Sequence, residues 1–232
     1  MEEIKINYHD GPPAAVVLTF VGGFLDAYTF TLHDGAFATA QTGNVITAMI
    51  SLVNLNFYGV FLKVMPIVAF AFGIFSAHLL EDRFMRREFN IWRLVVLGIE
   101  TTVFFVLGFA RIGVPDTLVT IPISFTAGLQ MTSFGTVRGL AYANLFTTGN
   151  LKKLIDNLYF TLTRGSAEAK SKLKQFFWII LTFISGALIS AWLSKVIGVR
   201  AIWLCALLIG GFTLVQGYYI FRFFREYQHN DF

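Results

Sequence analysis

The sequence predicts an all-α, polytopic membrane protein with about six transmembrane helices and two half-helices, arranged as an inverted 3+3 repeat. Three observations predict this fold class. Of the 232 residues, 56% are hydrophobic and only 14% are charged, whereas an average soluble domain carries about 25% charged residues. Apolar runs long enough to cross a bilayer recur along the chain. The tripeptide Thr-Gly-Asn occurs twice, at 42–44 and at 148–150, each time near an apolar stretch.

The predicted spans follow from length and polarity. A stretch of about 18 or more mainly apolar residues is typical of a membrane helix. The first such stretch follows an acidic N-terminal segment rather than the basic leader of a cleaved signal peptide, so we expect it in the mature protein. The predicted spans are 14–32, 57–80, 92–110, 117–138, 176–197 and 200–222.

Basic residues between the spans predict the orientation, because cytoplasmic loops are enriched in Lys and Arg. The loops 81–93 and 163–174 each contain four basic residues, and both should face the cytoplasm. We therefore expect both termini on the cytoplasmic side and the loops 111–116 and 195–200 outside.

Two further segments, 39–55 and 142–162, are ambiguous, and each contains one Thr-Gly-Asn. An even number of crossings must separate two cytoplasmic loops, so 142–162 is predicted not to cross. Its residues Lys152, Lys153 and Asp156 would also be costly at the bilayer centre. We interpret it as a half-helix that dips into the membrane or lies at its interface. The uncharged segment 39–55 either spans the membrane or dips in from the outside.

The two halves of the sequence are related by a shift of 106 residues, which places the first Thr-Gly-Asn on the second and Gly22 on Gly128. Three spans per copy is an odd number, so the second copy would enter from the opposite side, as in many transporters. Chance similarity between apolar helices is the alternative. The predicted divisions are a cytoplasmic segment 1–13, a first membrane repeat 14–110, a second membrane repeat 117–222 and a cytoplasmic tail 223–232.

The Thr-Gly-Asn tripeptides are the first candidate binding residues. Threonine can cap the helix that follows, glycine admits a close neighbour, and asparagine adds a donor and an acceptor. Two positive helix starts that meet near the midplane would suit a small anionic or polar solute. Tight helix packing with simple capping is the alternative. The substrate-binding candidates here are Gln41, Thr42, Gly43, Asn44, Thr148, Gly149 and Asn150.

Polar residues inside the predicted spans extend this candidate site. Asp26 and Glu100 are carboxylic acids, which are expensive in a membrane and therefore functional candidates by default. The alternatives are an interfacial Asp26 and a structural, hydrogen-bonded or neutral Glu100. Gln130 is a further candidate, with interhelical hydrogen bonding as its alternative role. We expect Glu100 to exchange a proton coupled to the solute.

The stretches "GGFLDAYTF" and "FATAQTGN", and later "AGLQMTSFGTVRG" and "LFTTGNLKKL", resemble the signatures of the YoaK-like family. Its members are bacterial integral membrane proteins without an assigned function. The resemblance covers nearly the whole chain and implies a multi-span protein of the bacterial inner membrane. It implies no substrate.

Catalytic motifs are missing from the sequence: there is no His-Glu-x-x-His, no glycine-rich phosphate loop and no metal-ligand spacing among the histidines. We therefore predict no enzyme activity, no cofactor and no metal. The basic residues lie in short loops, so we expect no nucleic-acid partner.

These observations favour a secondary transporter or channel for a small solute or ion, embedded in the lipid bilayer. A non-transporting membrane scaffold or assembly partner is the alternative, and a membrane enzyme using the two acids is a weaker one. Six spans provide few helices to surround a transport pathway, so we expect a homodimer that packs through helix 14–32 or 200–222.

Overall fold

The computed structural model describes residues 11–84, 91–110, 113–137, 139–145 and 147–230, with side chains up to residue 222. Most of the predicted N-terminal segment, the middle of the first basic loop and the side chains of the predicted tail lie outside the described residues. The helices are α1 Pro12–Leu32, α2 Gln41–Val53, α3 Phe57–Phe84, α4 Ile91–Leu107, α5 Asp116–Ser133, α6 Thr148–Arg164, α7 Ala167–Ile197 and α8 Trp203–Asn230. A short antiparallel hairpin, β1 Thr136–Val137 and β2 Leu140–Ala141, precedes α6, and a 3-10 helix, Gly198–Ile202, joins α7 to α8.

Several predicted boundaries differ from the structure by a few residues, and two of these differences have a clear local cause. The span predicted to end at residue 138 ends at Ser133, because the chain turns into the hairpin, whose Gly139 has a φ of 74°. The second basic loop is helical from Ala167, since the Ser166 hydroxyl accepts the Ala169 N–H at 3.2 Å and caps α7. Its lysines therefore extend from the first turns of α7.

Within the described residues, three helical stretches are long and apolar enough to cross a membrane: Pro12–Leu32, Phe57–Phe84 and Ala167–Arg222, which contains both α7 and α8. The chain thus has the helical, apolar character of a membrane protein. Helix α5 is more polar because side chains such as Ser124 and Gln130 are buried within the protein rather than turned to its surface. The six-span inverted repeat stays a prediction.

The helices pack in matching pairs. Helix α1 packs on α7, α3 on α5 and α4 on α8, while α2 lies on α3 and α6 lies on α7. If α1 is exchanged with α5, α2 with α6, α3 with α7 and α4 with α8, the same five packed pairs result. Large buried side chains of α1, α4, α5 and α8 form the main core, including Phe24, Phe104, Ile123 and Ile209.

Two crossings bring helix backbones into direct contact through glycine. At the α1/α7 crossing, a Cβ on Gly23 would overlap the carbonyl oxygen of Phe183, and a Cβ on Gly186 would overlap that of Phe20. Phe20 lies three residues before Gly23 in α1, and Phe183 lies three residues before Gly186 in α7. The glycine of each helix contacts the phenylalanine carbonyl of the other helix. Only a residue without a side chain admits such an approach.

The α3/α5 crossing repeats this arrangement. A Cβ on Gly73 would overlap the Phe125 carbonyl oxygen, and a Cβ on Gly128 would overlap the Phe70 carbonyl oxygen. The same Phe-x-x-Gly spacing thus forms both crossings, and both join a helix of the first half of the chain to one of the second.

The short helices α2 and α6 lie on this framework with most of their side chains at the surface. The buried residues are Asn44 and Ala48 in α2, and Asn150 in α6. Both helices are therefore anchored at their N-terminal ends, through the asparagines of the two Thr-Gly-Asn sequences.

Candidate functional site between the two half-helices

The two asparagines hold the chain in the same way. Asn44 Oδ1 accepts the Phe37 N–H at 2.8 Å, and its Nδ2 donates to the Phe37 carbonyl at 2.7 Å. Asn150 Oδ1 accepts the Ala143 N–H at 3.0 Å, and its Nδ2 donates to the Ala143 carbonyl at 2.6 Å. Each side chain thus binds both polar groups of the residue seven positions earlier. It fixes the segment that precedes its helix.

The prediction that the two threonines cap these helices is wrong. The N-cap positions are Ala40 and Thr147, and neither makes a side-chain capping bond. Thr42 and Thr148 lie inside the first turns, and neither is buried. The asparagine side chains, rather than threonine hydroxyls, tie the helix starts to the preceding chain.

The two glycines have different surroundings. A Cβ on Gly43 would lie 2.7 Å from the Phe37 ring, so close packing explains this position. No atom lies within 4 Å of a Cβ built on Gly149 among the described residues, and Gly149 is exposed. The packing alternative therefore accounts for the first glycine only.

Asp26 of α1 is buried and holds the start of α2. Its Oδ1 accepts the Thr39 N–H at 2.8 Å and the Ala40 N–H at 3.3 Å, and its Oδ2 lies 2.7 Å from Thr39 Oγ. Gln41 completes this cluster, since its Nε2 donates to the Ala38 carbonyl at 2.9 Å and its Oε1 accepts from Asn44 at 2.8 Å. The structure thus brings Asp26 of α1 to the start of the helix that contains Gln41 and Asn44.

The segments preceding the two half-helices meet in the interior. We call residues 36–39 and 142–145 the first and second leading segments. Thr39 Oγ lies 2.7 Å from the Leu145 carbonyl oxygen, and these two residues are equivalent under the 106-residue shift. A Cβ on Gly22 would lie 2.7 Å from the Asn144 carbonyl oxygen, so only glycine in α1 admits the second leading segment.

Gln130 has the interhelical role that the sequence offered as its alternative. Its Nε2 donates to the Leu18 carbonyl of α1 at 3.3 Å. The backbone carbonyl of Gln130 accepts a long hydrogen bond from Asn144 Nδ2 at 3.4 Å, and the same Nδ2 donates to the Phe134 carbonyl at 2.9 Å. These bonds position the second leading segment against α1 and α5.

Glu100 lies apart from this junction. It is fully buried in α4, and neither carboxyl oxygen has a hydrogen-bond partner among the described residues. Its electrostatic neighbour is the buried Cys205 thiol of α8. The structure therefore brings Asp26 to the leading segments and leaves Glu100 in the core between α4 and α8.

A hydrogen bond between two side chains joins the C-terminal end of α1 to the start of α5. His33, which follows α1, lies with its Nδ1 2.9 Å from Asp116 Oδ1 at the start of α5. Burial lowers the pKa of His33, although the hydrogen bond and the charge of Asp116 act to raise it. A carboxylate only accepts, so Nδ1 of the neutral ring carries the proton of this bond.

Sequence reasoning missed Thr39, Asn144 and the Leu145 carbonyl. Thr39 and Leu145 lie within stretches that resemble family signatures, but those signatures assign no role to either residue, and a backbone carbonyl has no sequence signature. The available signal was positional, because residues 39 and 145 occupy equivalent places ahead of the two Thr-Gly-Asn sequences.

Comparison with known proteins places the chain in a family without giving it an activity. A family model described as "Protein of unknown function (DUF1275)" matches residues 14–215. No curated protein and no solved structure matches the chain. The similarity to YoaK-like proteins accordingly stays a resemblance. Since the matched region covers most of the sequence, the chain belongs to the DUF1275 family.

Proposed function

We propose that the chain is a secondary transporter, or a channel, for a small polar or anionic solute. The observation that carries this proposal is the pair of asparagine-anchored half-helices, α2 and α6, whose leading segments meet at one buried junction. In transporters built from inverted repeats, solutes bind near the bilayer midplane, where interrupted helices present their N-terminal ends. Matched packing of the two halves supports the same interpretation.

The accessible groups at the half-helix starts fit solute binding. Thr42, Thr148 and Gly149 are exposed at these ends, where the helix dipole favours negative charge. The two hydroxyls add donors, and Gly149 leaves its backbone open to a close neighbour. An anion at either start would need no rearrangement of the asparagine bonds.

Passage of a solute requires the junction to open. In the described conformation Asp26, Asn44 and Asn150 all bind protein groups, so the junction is closed. We propose that the leading segments separate during transport while the glycine crossings keep each helix pair together.

We propose that this transporter resides in a bacterial inner membrane with six spans and both termini in the cytoplasm. We also propose a homodimer that packs through α8. No atom of the described residues lies within 4 Å of a Cβ on Gly211, so the surface of α8 around this glycine admits a second helix. Chemical cross-linking in native membranes tests this, and monomer alone at every reagent concentration would contradict it.

Ligand-dependent thermal stability tests the solute-binding function, because a ligand of the folded state must stabilise it. The purified chain is screened against small inorganic and organic anions, and the hits are then tested for uptake into proteoliposomes. Thr42→Val with Thr148→Val should reduce the stabilisation by a hit anion. Thr102→Val is the matched control, because its exposed hydroxyl binds only the Gly98 carbonyl of its own helix.

The scaffold alternative makes the opposite prediction. If no anion stabilises the chain, or if no stabilising anion is taken up by proteoliposomes, anion transport is refuted and the scaffold alternative is favoured.

A further inference from the structure

The junction between the leading segments contains one hydroxyl and two acceptors. Thr39 Oγ lies 2.7 Å from Asp26 Oδ2 and also 2.7 Å from the Leu145 carbonyl oxygen. Both distances are typical of O–H···O hydrogen bonds. A hydroxyl has a single hydrogen, whereas a carbonyl and an ionised carboxylate can only accept. Two bonds at these distances therefore need a second hydrogen, which neither Thr39 nor Leu145 can supply.

We infer that Asp26 carries a proton on Oδ2 in this conformation. The protonated carboxyl donates to Thr39 Oγ, and Thr39 then donates to the Leu145 carbonyl. Oδ1 is occupied by the N–H groups of Thr39 and Ala40, so it accepts, and the hydrogen resides on the other oxygen. One proton on α1 thus completes a hydrogen-bonded connection from the first half of the chain to the second.

Loss of this proton would break the connection. The ionised Asp26 would attract the Thr39 hydrogen, because a charged acceptor binds it more strongly than a carbonyl does. The buried Leu145 carbonyl would then lose the partner that the structure gives it, which is unfavourable in the interior. Asp26, Thr39 and Leu145 therefore form a proton-dependent latch, which releases its proton to solvent base when the leading segments part.

Other titratable groups near α1 have separate partners. Tyr28 donates to the Val199 carbonyl, His33 pairs with Asp116 of α5, and buried Lys63 of α3 binds the Asp34 carbonyl. Glu100 of α4 and Cys205 of α8 neighbour each other in the core, and from α7 the buried polar groups are Ser190 and Ser194. No charged side chain among the described residues bonds to Asp26. The latch consists of protein groups alone and needs no solute, so it is a property additional to the proposed transport function.

Infrared difference spectroscopy of the whole chain in lipid vesicles detects the proton directly, through the C=O stretch of a neutral carboxylic acid. The Glu100→Gln background removes the other acid that is buried among the described residues. We expect an acid band at neutral pH that disappears as the pH is raised and is lost in Asp26→Asn. If Asp26→Asn leaves the acid bands of this background unchanged, Asp26 is ionised and the inference is overturned.

Stability gives an independent measurement. The side-chain amide of the Asp26→Asn variant would accept the same two N–H groups and donate to Thr39 Oγ, so this variant imitates the protonated latch at every pH. A group that binds its proton more tightly in the folded state stabilises the fold at low pH and loses that contribution as the pH rises. The melting temperature of wild type should therefore fall relative to Asp26→Asn as the pH is raised. Because both proteins retain His33, its titration cancels, and a constant difference overturns the latch.

Thr39 variants keep the inference testable if Asp26→Asn does not fold. Thr39→Val removes the hydroxyl with little change of shape, so the acid band should shift to the frequency of a carboxyl without that partner. Thr39→Ser retains the hydroxyl and should leave the band in place. An acid band at the same frequency in wild type and Thr39→Val would show that the proton does not bind Thr39, which contradicts the latch.

Discussion

Replacing Gly186 with alanine should destabilise the protein far more than the added methyl group suggests. A Cβ at this position overlaps the backbone of α1 at the Phe20 carbonyl and also approaches the Phe24 N–H. Backbone atoms cannot rotate away as a side chain does. The only response is for α1 and α7 to move apart along their whole contact.

The magnitude follows from that separation. The new methyl group would lie 2.0 Å from the Phe20 carbonyl oxygen, and an ordinary contact begins at 3.4 Å, so the axes must part by about 1.4 Å. Overpacking of this kind costs about 1–3 kcal/mol. Gly98→Ala in α4 is the matched control, because no described atom lies within 4 Å of the new Cβ. The control should be neutral or gain up to about 1 kcal/mol from helix propensity.

Thermal unfolding of the detergent-purified variants, followed by the loss of monodisperse protein on size-exclusion chromatography, measures this difference. Equal stabilities of Gly186→Ala and Gly98→Ala would refute the direct backbone contact. The double variant Gly23→Ala/Gly186→Ala adds a sharper test. Once one methyl group has separated the helices, the second should cost less, so the two effects should not add. Combination with Gly73→Ala at the other crossing should be nearly additive.

Three further predictions concern the half-helices, the core acid and the topology. Asn44→Ala and Asn150→Ala should each lower stability by about 1–3 kcal/mol, because each leaves a leading-segment N–H and carbonyl without their asparagine partner; a large loss in one and none in the other would contradict their matched roles. Glu100→Met should raise the melting temperature, since a buried carboxyl without a hydrogen-bond partner among the described residues costs about 1–3 kcal/mol. A clearly lower melting temperature would show that the Glu100 carboxyl makes a stabilising contact. In a cysteine-free background, Pro115→Cys should react with an impermeant thiol reagent on intact cells and Ala167→Cys should not; the reverse labelling would refute the predicted orientation.

Helices α2 and α6 could be located from the sequence because hydropathy and the repeated tripeptide are visible in the sequence alone. The segments 39–55 and 142–162 correspond to α2 and α6, whose observed bounds are Gln41–Val53 and Thr148–Arg164. The hairpin after α5 could not be placed, since its apolar residues continue the hydropathy of the helix. Helix α7 starts early for a local reason, the Ser166 cap, which outweighs the positive charge that suggested a loop.

Some residues of the candidate site could be predicted, because repetition and rare charges are visible in the sequence. Asn44 and Asn150 belong to a repeated tripeptide, and Asp26 is conspicuous because charge is rare in an apolar helix. Their bonding partners are mostly backbone groups, which every residue has, so the sequence does not distinguish the Leu145 carbonyl from any other. The separation of Glu100 from Asp26 depends on which face of α4 turns to α8, and apolar residues occupy every side of this helix, so the sequence does not indicate that face.

The two glycine crossings have a consequence for how the chain is assembled during synthesis. Each crossing joins helices from different halves, α1 with α7 and α3 with α5, and the halves also meet where α4 packs on α8. A ribosome that has delivered the first four helices to the membrane has therefore delivered none of the surfaces that α1 or α4 chiefly packs on. The glycine face of α1 stays open until α7 emerges, more than a hundred residues later. Most of the helix packing is thus a late event that involves both halves at once, because the main contacts inside either half are those of α2 with α3 and of α6 with α7.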